Sequence, residues 1–125
     1  MEIGYKRILI VDPDSAAARE MSSLFIDEGY GVEITGGIRE AAETIKDVKF
    51  DCVIMDVNLP RMRGYEAVSI LKAIDPKVQI IMTSSENTMD LEVKVRQQDI
   101  FYYYIKSFDR EELKEAVRDV FEKVM

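Results

Sequence analysis

Four polar residues each close a short run rich in β-branched and apolar side chains. Asp12 ends RILIVD, Asp56 ends DCVIMD, Thr83 ends VQIIMT and Lys106 ends FYYYIK. Asp14 follows Asp12 across Pro13. If these runs are neighbouring strands, Asp12, Asp14 and Asp56 share one acidic pocket, with Thr83 and Lys106 along its rim. Clustered carboxylates repel unless a cation sits among them, and hard oxygen donors of this kind suit Mg²⁺. A carboxylate beside Mg²⁺ can act as a nucleophile toward phosphorus. Metal and ammonium then neutralise the transferring group, and a hydroxyl donates to one of its oxygens. Phosphoryl uptake is the chemistry these residue types could perform together.

Taken singly, each residue has a plainer role. Asp12-Pro13 resembles a helix N-cap followed by proline at the first helical position. Asp56 is an acid before a turn, Thr83 a strand-ending threonine and Lys106 a solvated lysine. Their shared place at one edge of the expected sheet favours the chemical reading.

The elements that must position them alternate along the chain. Strands are expected at residues 7–12, 31–35, 51–56, 78–83 and 101–106, and helices at about 14–28, 38–46, 65–74, 89–98 and 109–124. Near-continuous Ile, Leu, Val and Met runs fit strands covered on both faces of a parallel sheet, while the more polar GVEIT suits an edge. In the first helix Ala17, Met21, Leu24 and Phe25 form one stripe that stops at Gly29. In the last, Leu113, Ala116, Val117, Val120, Phe121 and Val124 recur at helical spacing, with Asp109 as N-cap. Five strand–helix repeats imply an α/β fold, a doubly wound five-stranded parallel sheet between helix layers, in order 2-1-3-4-5. Sites in such sheets lie beyond the carboxyl ends of the strands, where the polar residues fall.

Composition narrows the function classes. The chain has 125 residues, 17 Lys+Arg against 24 Asp+Glu, and a formal charge of −7. That length leaves room for about one domain, and an acidic balance argues against direct nucleic-acid binding. No apolar run approaches the ~20 residues of a membrane span and no secretory signal is visible, so an acidic cytoplasmic domain is expected. A single cysteine, Cys52, forms no internal disulfide and reads as inert core. The absence of histidine removes the usual zinc sites and the Ser–His–Asp hydrolases.

The segments RILIVDPDS, DCVIMDVNLPRMRG, IIMTSS and YYIKSF resemble, in order and spacing, the receiver domain of two-component response regulators. The resemblance covers essentially the whole chain, so residues 1–125 are expected to form one receiver domain without an effector domain. It implies Asp56 as phosphoacceptor and Asp12 as a Mg²⁺ ligand, with the Asn58 backbone carbonyl as a further ligand. It also implies Thr83 and Lys106 as the groups holding the phosphoryl, and Tyr103 as the aromatic that turns inward with Thr83. The implied partner is a sensor histidine kinase or histidine phosphotransfer protein, since this chain has no histidine of its own. The implied output is a change in the surface of the fourth helix, fifth strand and fifth helix, which can serve a homodimer. Beyond self-phosphotransfer and slow autodephosphorylation, no enzyme activity is implied.

Three departures stand out. The family usually has two consecutive acids after the first strand, whereas here the second is Pro13; Asp14 is the substitute ligand if the loop shifts, or water fills the place. The Lys is usually followed by a cis proline, but here by Ser107, where a cis bond would cost about 3 kcal/mol. The small pair before the fifth strand reads Asp99-Ile100, which is expected to reposition the fourth helix. Pro13 motivates an alternative function, an atypical receiver acting as a phosphorylation-independent interaction or dimerisation module. A flavin-binding protein of the same architecture is a third reading, opposed by the charged Asp12-Pro13-Asp14 loop, which repels phosphate. Of the run Tyr102-Tyr103-Tyr104, alternation places Tyr102 and Tyr104 opposite Tyr103. Tyr102 and Tyr104 are expected to cover neighbouring helices with their hydroxyls in water, or else to form a partner surface.

Overall fold

The computed structural model describes residues 6–106 and 109–123. Five strands form one parallel sheet: β1 (Arg7–Val11), β2 (Gly31–Thr35), β3 (Cys52–Asp56), β4 (Gln79–Ser84) and β5 (Tyr102–Ile105). Their order across the sheet is β2-β1-β3-β4-β5, as the alternating pattern required. The connections are α1 (Ser15–Asp27), α2 (Ile38–Asp47), α3 (Gly64–Ile74) and α4 (Met89–Arg96), and α5 (Arg110–Lys123) closes the chain.

Strand alternation divides the core into two layers. Leu9, Val11, Val53, Met55, Ile80 and Met82 point to the layer containing α2, α3 and α4. Ile8, Ile10, Cys52, Ile54 and Ile81 point to the layer containing α1 and α5, against Phe25, Val117 and Phe121. Most of these side chains are essentially inaccessible, each worth about 1.5–3 kcal/mol of burial. Cys52 lies wholly inside, and burial pushes its thiol pKa up, which leaves it an inert core residue.

The details depart from expectation in instructive ways. Asp12 lies one residue beyond β1, while β4 runs on through Thr83 to Ser84. The buried positions of α1 are Ala18, Ser22 and Phe25. Of the expected stripe Ala17, Met21 and Leu24 are half-buried, Met21 and Leu24 packing against the same core as Phe25, so that stripe does face the core, with Ala18 and Ser22 added to it. Gly29 does terminate α1, at a φ of 94° that glycine adopts freely. Helix α4 stops at Arg96, two residues short of the expected end. A two-residue antiparallel ribbon, Asn58–Leu59 with Met62–Arg63, was not foreseen, being too short for any periodic signal. At the start of α5, Asp109 Oδ1 accepts the Glu111 N–H at 3.0 Å, as an N-cap does. The expectations for Ser107 and Val124 lie outside the described residues.

The tyrosines alternate as a strand dictates, with Tyr103 in the α2–α3–α4 layer and Tyr104 in the α1–α5 layer. Tyr104 is buried, and the Tyr102 hydroxyl donates to Glu112 on α5 rather than facing water alone. That bond, with burial and nearby acids, pushes the Tyr102 pKa up to about 12.

Candidate functional site

The sheet register builds the site. Val11 pairs with Met55, so Asp12 follows on beside Asp56, and Asp56 pairs directly with Thr83. Lys106 leaves the end of β5 with its N–H bonded to the Ser84 carbonyl at 2.8 Å. All four side chains therefore meet at the carboxyl edge of the sheet. Asp12, Asp56 and Thr83 are only 3%, 6% and 1% exposed.

The Lys106 ammonium bridges the two carboxylates, 2.7 Å from Asp12 Oδ2 and 2.8 Å from Asp56 Oδ1. Burial works to lower the Lys106 pKa, but the hydrogen bonds and charges of Asp12 and Asp56 outweigh it and hold it above the usual lysine range. Thr83 Oγ1 stands 3.5 Å from the same Asp56 Oδ1. Asp56 Oδ2 is committed elsewhere, accepting the Asn58 N–H at 2.8 Å. The two oxygens are thus distinguished: Oδ1 faces the cation and the hydroxyl, while Oδ2 is fixed by backbone.

Gly64 completes the wall behind Asp56. Its N–H donates to the Val57 carbonyl at 2.7 Å, and a Cβ built there would lie 2.1 Å from the Asp56 carbonyl oxygen. Only glycine lets the start of α3 approach the loop after Asp56 this closely.

Asp14 does not join the pocket. Its carboxylate accepts the Ala16 and Ala17 N–H groups at 3.1 and 3.2 Å and caps α1, while its own N–H donates to Asp12 Oδ1 at 2.9 Å. The capping residue is therefore Asp14 rather than Asp12, and the three-acid pocket expected from sequence contains two acids. An Asp14→Ala change is expected to lower stability by about 1 kcal/mol through loss of the cap. Mg²⁺ affinity, measured by calorimetric titration, should stay within about twofold of the parent.

Tyr103 is buried with its hydroxyl 3.5 Å from the Glu86 carbonyl, and the Arg96 guanidinium lies 5.8 Å from its ring centre. Glu86 had no signal in the sequence, since nothing in TSSEN has a period. It nevertheless links several parts of the site. Its side chain accepts from Asn58 Nδ2 at 3.2 Å, its N–H donates to Ser84 Oγ, and its carbonyl accepts from Ser84 and Tyr103.

Among the described residues no group of three or more His, Cys, Asp and Glu could hold a metal. Mg²⁺ does not need one. It is bound through one or two carboxylates and keeps several waters, and the all-oxygen donors Asp12 and Asp56 fit that demand. Pro13 is exposed and supplies no side-chain donor.

Comparisons with known proteins point the same way. A family model described as the response regulator receiver domain matches residues 8–118. The chain is 32% identical to the chemotaxis protein CheY of Thermotoga maritima over 117 residues, covering 92% of this chain and 97% of that one. Several other curated relatives are longer, the chain spanning 23% to 55% of their length. Among solved structures, a CheY-like receiver domain protein from Methanospirillum hungatei superposes with a TM-score of 0.83 at 27% identity, covering 96% of this chain and 99% of that one. The beryllofluoride-activated NtrC4 receiver domain dimer shares the fold, with a TM-score of 0.88 at 24% identity, covering 95% and 98%.

Proposed function

Because the chain belongs to the response regulator receiver domain family, we propose that it is a phosphorylation-dependent signalling switch whose phosphoacceptor is Asp56. The observation that carries this reading is the asymmetry of the Asp56 carboxylate. Oδ1 alone faces both the Lys106 ammonium and the Thr83 hydroxyl, the two groups suited to hold a phosphoryl. Asp56 Oδ1 attacks phosphorus, the O–P bond forms as the donor's N–P bond breaks, and the donor imidazole leaves. The donor is a phosphohistidine of a sensor histidine kinase or phosphotransfer protein, since this chain contains no histidine.

Asp12, Asp56 and the Asn58 carbonyl are the groups that would hold Mg²⁺. When bound, the ion supplies neutralisation of the phosphoryl oxygens. Lys106 then pairs with the acquired charge and Thr83 donates to it. Movement of Thr83 toward the phosphoryl alters the space beside Tyr103, and the α4–β5–α5 surface is the element biased. Met89 and Val93 stand 82% and 51% exposed on α4, an apolar patch that suits a homodimer or target contact on that surface. The domain modifies itself rather than turning over a substrate. A cytoplasmic setting accords with the family, and no described helix is long and apolar enough to cross a membrane.

Incubation with Mg²⁺ and a small acyl phosphate is expected to add one phosphoryl mass to the intact protein, and Asp56→Asn to prevent it. No mass gain in the parent protein at any Mg²⁺ concentration would overturn the reading. A second reading, a phosphorylation-independent interaction module, is favoured by Pro13 and by the commitment of Asp14 to its cap. Calorimetric titration separates the two: Mg²⁺ binding far weaker than millimolar supports the module.

A further inference from the structure

Strand β5 is an edge of the sheet, and its register decides which groups meet Tyr103. Met82 pairs with Tyr103 and Ser84 with Ile105, so these four side chains share one face, the one packed against α4. Ser84 is wholly buried there, and its hydroxyl closes a reciprocal pair of bonds. Oγ donates to the Glu86 carbonyl at 2.8 Å and accepts the Glu86 N–H at 2.9 Å. The same carbonyl stands 3.5 Å from the Tyr103 hydroxyl, so Ser84 sets the place of the oxygen that the tyrosine faces.

The ring has a cover of its own. Helix α4 ends at Arg96, whose guanidinium lies 5.8 Å from the Tyr103 ring centre. Glu92, one turn earlier, accepts from Arg96 Nε at 2.8 Å and orients that guanidinium. Tyr103 is 6% exposed while the Arg96 side chain is 58% exposed, so the arginine forms the outer layer over a buried ring. These contacts run through neither Asp56 nor Thr83.

We propose that Ser84 and Arg96 are positioning residues that hold Tyr103 in its buried setting, and so fix the resting bias of the α4–β5–α5 surface before any phosphoryl group arrives. The functional meaning rests on Tyr103 being the aromatic that moves in that surface. Ser84 acts at the hydroxyl end through the Glu86 carbonyl, and Arg96 acts at the ring face. Loss of either raises the population in which the ring turns out to solvent.

The test nitrates the full chain with tetranitromethane, without phosphodonor or Mg²⁺, and follows Tyr103 by peptide mass spectrometry. Tyr30, stacked on Phe121, is the internal reference. Arg96→Ala is expected to raise the Tyr103 rate about threefold, the scale of one exposed cation–π contact. Arg96→Lys keeps a cation for the ring and should recover most of that change. Ser84→Ala should raise the rate about twofold, since the carbonyl is no longer pinned. Thr88→Ala removes the N-cap of α4 without touching these contacts, and should change the Tyr103 rate less than either. Parental rates in Arg96→Ala or Ser84→Ala, no recovery in Arg96→Lys, or an equal rise in Thr88→Ala or at Tyr30 would overturn the proposal. The outcome is independent of whether Asp56 accepts a phosphoryl group. Phosphorylated protein with an unchanged Tyr103 rate would instead overturn the reading of Tyr103 as the moving aromatic.

Discussion

Alanine at position 64 is expected to destabilise the protein by about 3 kcal/mol and to leave little phosphoryl uptake. The reason is space rather than dihedral freedom. A Cβ at Gly64 would lie 2.1 Å from the Asp56 carbonyl oxygen and 3.0 Å from both the Asp56 carbonyl carbon and the Val57 Cα. All three neighbours are backbone, so no side chain can swing aside. The 2.7 Å bond from the Gly64 N–H to the Val57 carbonyl would have to stretch or break as α3 moved off β3. The strain therefore falls on Asp56, the proposed phosphoacceptor. Urea unfolding measures the stability loss and intact mass the uptake. A Gly64→Ala protein with parental stability would contradict this account of the loop.

Lys106→Met carries the second large effect. It leaves Asp12 and Asp56 buried side by side without the ammonium that now lies within 2.8 Å of both. Removing one partner of a buried charge cluster costs about 3 kcal/mol, and the partial exposure of Lys106 places this case toward the lower end. Mg²⁺ bound by Asp12 and Asp56 would take the place of the lost charge, so added Mg²⁺ should raise the melting temperature of Lys106→Met more than that of the parent. The pH dependence has a definite sign. The folded-state pKa of Lys106 is raised above its ordinary 10.5 because the two carboxylates outweigh burial. Its contribution is therefore complete below about pH 10.5 and is lost as pH rises through the higher folded value. The parent should lose more stability than Lys106→Met across that alkaline range. Equal alkaline slopes, or no extra rescue by Mg²⁺, would contradict the bridging role.

The sheet was legible because strands buried on both faces are written as runs of Ile, Leu, Val and Met, as three are here, and because five strand-like runs alternate with helices. Asp12, Asp56, Thr83 and Lys106 were legible because each closes such a run, and parallel strands deliver their ends to one edge. The error over Asp14 has a local cause. An Asx side chain immediately before a helix can serve a metal or the orphan N–H groups of the helix, and spacing alone does not separate these uses. In α1 the stripe was legible in Met21, Leu24 and Phe25, whereas the burial of Ser22 was not, because polarity places a serine outside. Glu86 was invisible because it is an ordinary charged residue on a loop, placed only by its bonds to Ser84.

Asp56, through its Oδ1, is the proposed recipient of the phosphoryl group. Borohydride reduction of the phosphorylated chain converts an aspartyl phosphate to homoserine, which tandem mass spectrometry locates in a peptide. Homoserine is expected at position 56 alone, in a yield that follows the phosphoryl mass. Homoserine at Asp12 or Asp14, or a phosphoryl mass that leaves position 56 unreduced, would contradict it.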